Sequence, residues 1–140
     1  MGCIYKEIKL QNKNRGVHLI TKEIINNIKE IQKIDCGTVN IFIKHTSASI
    51  TINENTDINV RKDFEYYLKT VVPEKDPNYT HIQEGPDDMP AHIKSILIGN
   101  NIIIPFKKGK LSLGMWQGIY LCEHRNNCSK RKIVLTLQGD

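Results

Sequence analysis

Three polar strings interrupt apolar stretches of the chain, and each carries a histidine near a carboxylate or hydroxyl. The first is His45-Thr46-Ser47-Ala48-Ser49 with Asn53-Glu54-Asn55-Thr56-Asp57. The second runs from His81 through Asp87-Asp88 to His92. The third joins Trp116-Gln117 to Glu123-His124-Arg125. A carboxylate or hydroxyl beside an imidazole can fix its tautomer, which suits it to bind a metal or to move a proton. His45, His81 and His92 with one carboxylate would make a nitrogen- and oxygen-rich site for zinc or another transition metal. Three protein ligands plus water would then support a metal-dependent hydrolase or lyase. No two histidines stand four apart, so each ligand is expected from a different element. Asp57, Asp87 and Asp88 could instead hold Mg²⁺, with Lys94 or Arg125 meeting phosphate. The same polar groups, buried and hydrogen-bonded, would equally serve a non-enzymatic assembly. No HExxH, P-loop, GxSxG or GxGxxG pattern is present.

The elements that must position these groups follow from periodicity. Residues 4–10 alternate as a strand. Thr21 reads as an N-cap, followed by Ile24, Ile25, Ile28 and Ile31 at helical spacing. Gly37 suits a turn or a cap. Residues 38–44 form a second strand that delivers His45 at its end, and residues 50–52 are again extended. A helix over 57–72 presents Val60, Phe64, Leu68 and Val71. Asp87-Asp88-Met89-Pro90 opens a third helix, with Ile93, Ile96 and Leu97 toward the core and Gly99 at its end. Residues 101–106 and 111–113 form a hairpin, and residues 118–123 and 132–138 a last one. Strands mixed with about three helices, without strict alternation, predict an α+β fold with a mixed, largely antiparallel sheet.

The chain has 140 residues, 39% of them hydrophobic and 25% charged, which fits one compact domain over 1–140. No apolar run approaches the roughly 20 residues of a membrane span. The start MGCIYKEIKL lacks an apolar signal region, and Lys6 breaks the myristoylation pattern. Cys3, Cys36, Cys122 and Cys128 lack metal-site spacing and read as reduced thiols of a cytoplasmic protein. The net charge is +5, and residues 107–132 hold seven Lys/Arg against the single acid Glu123. With 16 Lys and only 4 Arg in the chain, that segment reads as solvated surface, and nucleic acid is disfavoured as a partner. His18 and His124 read as structural or surface groups, and Trp116 as a core or interface residue.

Taken together and in order, HTSASITINENTD, DDMPAHIKSILIG and GKLSLGMWQGIYLCEHR resemble the family typified by the bacterial YjbQ protein. The resemblance spans residues 10–139. It implies a compact α+β domain, a homotrimer, and a polar site near the subunit boundaries. Matched position by position, the family's strings fall on His45, Thr46, Ser47, Ala48, Glu54, Asn55 and Asp57, then on His81, then on Ala91, His92, Ile93 and Lys94. The last falls on Leu113, Gly114, Trp116 and Gln117, with Glu123 after it. Pro86-Asp87-Asp88-Met89-Pro90 stands where many bacterial members carry Gly-Asn-Ala-Asp, and Glu-His-Arg stands where many carry Glu-Phe. Some members of the family are labelled thiamine-phosphate synthases, which implies a small phosphorylated substrate. The expected site is thus His45, Asp57 and His92 for catalysis; Ser47, Asn55, Asp88, Lys94, Gln117, Glu123 and Arg125 for substrate; and His45, His81 and His92 for a metal, with Zn and Mg as the expected cofactors.

Overall fold

The computed structural model describes residues 2–126 and 129–140. Its eight strands are β1 (Gly2–Lys9), β2 (Gly16–Leu19), β3 (Cys36–Ile43), β4 (Ala48–Glu54), β5 (Asn101–Lys107), β6 (Lys110–Leu111), β7 (Gln117–Glu123) and β8 (Lys132–Gly139). The helices are α1 (Thr21–Asn26), α2 (Ile58–Val71) and α3 (Asp88–Ile98), with a 3₁₀ turn over Lys29–Lys33. The strands form a five-stranded sheet in the order β1-β8-β3-β5-β6 and a three-stranded sheet in the order β2-β7-β4. The expected α+β, largely antiparallel architecture is realised, with the strands divided between two sheets and every recorded pairing antiparallel.

One face of each sheet is apolar at period two, and these faces form the core. Ile133, Leu135 and Leu137 of β8, Val39, Ile41 and Ile43 of β3, and Ile104 and Phe106 of β5 share one buried cluster with Ile50, Ile119 and Leu121 of the smaller sheet. Ile24, Ile28 and Ile31 close one side of it. Gly37 is in β3 and not in a turn. It pairs with Gly139, and a Cβ at Gly37 would lie 2.0 Å from the Gln138 carbonyl oxygen. This close approach of two strands admits only glycine.

Several sequence expectations change in three dimensions. β7 and β8 do not form a hairpin, because β7 pairs with β2 and β4 while β8 pairs with β1 and β3. Periodicity marks a strand but does not choose its partner. β2 has only four residues, too few to show an alternation. Thr21 is the first residue of α1, and its hydroxyl accepts from the Ile119 amide instead of capping the helix. On α2, Leu68 is buried, as is Val72 just after it, while Val60 and Val71 are exposed. On α3, Ala91 and Ser95 are buried, whereas Ile96 and Leu97 are 80% and 65% exposed. Trp116 is also exposed. The basic segment is not uniformly solvated, because Arg131 is buried. Among the described residues Cys3, Cys36 and Cys122 are free thiols, and Cys128 lies outside them. No described helix is long and apolar enough to cross a membrane.

Candidate metal centre

The N-terminus of α3 gathers charge. Asp87 and Asp88 are both buried there. Arg125, two residues past the end of β7, reaches both: its Nε donates to Asp87 Oδ2 at 3.2 Å, and its Nη1 donates to Asp88 Oδ1 at 2.6 Å. The Asn126 amide adds a second hydrogen bond to Asp87. Burial pushes both carboxyls upward. For Asp87 the Asn126 amide and Arg125 outweigh it, and for Asp88 the hydrogen bond from His81 and the charges of His92 and Arg125 do so. Both groups titrate below the usual carboxylate range and are ionised at neutral pH.

Arg125 takes one Asp88 oxygen, and two histidines take the other. His81 Nε2 lies 2.6 Å from Asp88 Oδ2, and His92 Nε2 lies 3.0 Å from it. His92 sits one helical turn after Asp88, so both side chains leave the same face of α3. The other ring nitrogen of His92, Nδ1, stands 2.9 Å from the Thr46 carbonyl oxygen. A carbonyl only accepts, so Nδ1 carries the proton and, in the neutral ring, Nε2 presents a lone pair. That lone pair faces an ionised carboxylate oxygen. Two acceptors at this distance require a cation between them, either a proton or a metal. A backbone carbonyl on the second ring nitrogen is also the usual support of a metal-bound histidine. The ligand atoms of His81, Asp88 and His92 all lie within 4.8 Å of one another.

His45 stands apart from this group. Its Nε2 accepts from the Lys132 amide at 2.8 Å, which uses the lone pair a metal would need. Burial and the nearby Arg131 lower its pKa. It nevertheless lines the same cleft as His92, together with Thr46, Ser95 and Ile96. The metal set read from the sequence as His45, His81 and His92 therefore becomes, in geometry, His81, Asp88 and His92. The Asp88/His92 spacing was visible in the sequence, but only to a search that counts carboxylates with imidazoles.

The remaining predicted residues divide by position along β4 and β7. Glu123 pairs with Ala48 at one end, and Gln117 pairs with Glu54 at the other. Seven residues of strand separate those ends by about 20 Å. Asn55, Asp57 and Gln117 are at the far end, away from the histidines, and each serves the local backbone. Asn55 Nδ2 donates to the Met115 and Gln117 carbonyls. Asp57 caps α2 by accepting from the Asn59 amide at 2.9 Å. Gln117 Oε1 accepts from the Gly114 amide. Catalytic work by Asp57 together with His45 and His92 within one chain is therefore not supported. At the near end, Glu123 is gripped by Arg131, whose Nε and Nη2 reach its two oxygens at 2.6 and 2.5 Å. Ser47 Oγ accepts from the same guanidinium at 2.9 Å. Sequence reasoning did not single out Arg131; the one signal was a lone Arg amid lysines. Lys94 follows His92 by two residues, about 200° around α3, and so faces away from the metal cluster.

The comparisons with known proteins agree with this architecture. Residues 6–140 match the family model described as UPF0047 protein YjbQ-like. The UPF0047 protein YjbQ of Escherichia coli O157:H7 is 44% identical over 135 residues, covering 96% of this chain and 97% of that protein. Its counterpart in Salmonella typhimurium is 45% identical over the same length. A solved structure of a yjbq/upf0047 family protein from Clostridium acetobutylicum superposes with a TM-score of 0.80 at 33% identity, covering 96% of this chain and 99% of that one. With the match extending over nearly its whole length, the chain belongs to the YjbQ-like UPF0047 family.

Proposed function

We propose that this protein is a metal-dependent hydrolase or lyase whose ligands are His81 Nε2, His92 Nε2 and Asp88 Oδ2. The observation that carries this reading is the convergence of two imidazole nitrogens on one ionised carboxylate oxygen. Donors around a tetrahedral zinc at about 2.0–2.1 Å stand about 3.3 Å apart. To match, the His81 and His92 contacts to Asp88 Oδ2, now 2.6 and 3.0 Å, must lengthen by about 0.7 and about 0.3 Å. Two imidazoles and one carboxylate suit zinc or another transition metal better than Mg²⁺, which prefers oxygen ligands. Asp57 and Asp87 are already engaged, by the α2 amide and by Arg125, so an oxygen-rich Mg²⁺ site for thiamine-phosphate-type transfer is the weaker reading. A metal with open positions would lower the pKa of a bound water toward neutrality. The chain's own residues do the positioning. Arg125 fixes the Asp88 carboxylate through its second oxygen, the Thr46 carbonyl fixes the His92 tautomer, and His45 adds an imidazole to the adjoining cleft. The free thiols Cys3, Cys36 and Cys122 suit a reducing, cytoplasmic setting for such a site.

Elemental analysis of the purified protein tests this reading. Near one equivalent of transition metal per chain is expected. His92→Ala and Asp88→Asn should each lose it, and His45→Ala should keep it. Metal retained in all three variants, or absent from the wild type even after reconstitution with Zn²⁺, would overturn the assignment.

We also propose that the chain assembles as the homotrimer that its resemblance implies. The support is the distribution of exposed apolar groups. Ile96 flanks the His45/His92 cleft, while Met115 and Trp116 are exposed at the Asn55 end. Assembly could bring one subunit's far-end residues to another's histidines. Light scattering should give three times the 16.1 kDa chain mass, and Ile96→Asp or Trp116→Asp should lower it. A wild-type monomer at micromolar concentration would end this reading.

A further inference from the structure

The outer face of the small sheet carries a cavity of its own. Ile119 and Leu121 of β7 point into the shared core, so Tyr120 between them points the other way, toward the helices. There α2, the C-terminal end of α3 and Tyr120 bound a volume of about 280 Å³. Val60 and Phe64 of α2, with Leu97 and Ile98 of α3, give it apolar walls. Val60 and Leu97 are left exposed although apolar. Nine residues of helix, about 14 Å, separate Leu97 from Asp88 of the metal cluster.

Among the described residues Arg61 is the only cation on these walls. Its guanidinium carbon lies 5.7 Å from the centroid of the Tyr120 ring. The ring attracts the charge but offers no lone pair to the N–H groups. Arg61 Nε is buried without a hydrogen-bond partner, and among the described residues the side chain has no ion pair. An orphaned donor of this kind calls for a partner from outside the chain, and the planar fork of a guanidinium matches a carboxylate through two parallel hydrogen bonds. Glu54 limits the charge that can enter. It lies on the same wall, its carboxylate held by the Thr56 and Asp57 amides. One negative charge balances Arg61, whereas a second would find no cation and would face Glu54. The volume is at the lower end for small-molecule sites, so the body that fills the apolar part is short.

We propose that this cavity binds a small monocarboxylate with an apolar body, its carboxylate paired with Arg61 and its body lying between Val60 and Leu97. The site is separate from the metal cluster and does not depend on it. Calorimetric titration of the metal-chelated protein at about pH 8 with benzoate, benzamide and phenyl phosphate tests it. At that pH phenyl phosphate is a dianion, the second pKa of a phosphate monoester being about 6. Wild type should bind benzoate saturably, and each of the other two at least about tenfold more weakly. Arg61→Met should weaken benzoate at least about tenfold while keeping the wild-type mass in light scattering. Leu97→Asp should weaken benzoate to a similar degree. His92→Ala should leave benzoate binding unchanged, which separates failure here from failure of the metal reading. No saturable benzoate binding up to about 10 mM, equal binding of benzoate and benzamide, or undiminished benzoate binding in a folded Arg61→Met protein would overturn the proposal. A lower mass for Arg61→Met would overturn it too, because a carboxylate of a second copy would then be the partner of Arg61. If Arg61→Met does not fold, undiminished benzoate binding in Leu97→Asp would overturn it as well.

Discussion

Replacing Arg131 by methionine is expected to destabilise the folded chain by about 3–5 kcal/mol. The guanidinium is 7% exposed and the Glu123 carboxylate 2% exposed. Both carboxylate oxygens take hydrogen bonds from Arg131, and one also takes the Arg125 amide. The same guanidinium fastens Ser47 through its carbonyl and its hydroxyl. Methionine would fill much of the volume but leave the carboxylate buried without its cation. The double substitution Arg131→Met with Glu123→Leu removes both charges and should recover most of the loss, because the desolvation of each ion disappears with it. Chemical denaturation of the wild type, the two single variants and the double variant measures this as a coupling energy. A single substitution costing less than about 1 kcal/mol would mean that water reaches Glu123. The same pair links the segment before β4 to the ends of β7 and β8. Its loss should therefore also loosen Thr46, whose carbonyl orients His92.

This network shows where the sequence stops being readable. Period-two and helical spacing mark the elements themselves, so the strands β3, β5 and β8 and the helix α2 were legible. They do not report which strand lies beside which. The separation of β7 from β8 depends on each finding a partner in a different sheet, a tertiary choice with no local signature. For α3, the apolar residues Ile96 and Leu97 were assigned inward because they are apolar. The helix instead buries Ala91 and Ser95, whose small side chains let it lie close to β4, and Ser95 Oγ donates to the Ala48 carbonyl. The candidate site divides in the same way. His81, Asp88, His92 and Arg125 all lie in strings that stood out by type, yet their convergence depends on Arg125 crossing to the start of α3. His45 follows β3 as expected, but the Lys132 amide at the start of β8 claims its lone pair. Asp57 was expected to do chemistry, and it caps α2 instead. The length of β4 places it far from the histidines.

Acid should destabilise this protein well above the range where carboxylates titrate, with His124 as the main cause. The ring is 4% exposed, and its Nε2 lies 2.5 Å from Ser49 Oγ. Burial, followed by the charge of Lys94, pushes its pKa down to about 3 from the usual 6.5. A histidine depressed in the folded state contributes stability that is complete above the unfolded pKa and is lost as pH falls below it, because only the unfolded chain takes the proton. The slope approaches about 1.4 kcal/mol per pH unit, so roughly 2–3 kcal/mol should be gone by about pH 4.5. His45, also depressed by burial, adds a contribution of the same sign. Asp87 and Asp88 act in the same direction only below about pH 4, since their folded values lie under 3.8. The two windows separate the causes. Denaturant melts of the chelated protein at about pH 7.5 and pH 4.5 should show a large difference for wild type. His124→Gln cannot be protonated, so it should lose about 2 kcal/mol less between those pH values, although it begins less stable. Equal losses in the two proteins would place the acid sensitivity elsewhere. A flattened profile would mean that the helix and strand around Ser49 hold the imidazole neutral throughout the physiological range. His124 then serves as a hydrogen-bonding core group, and the ionisable chemistry is left to the face of α3 that carries Asp88 and His92.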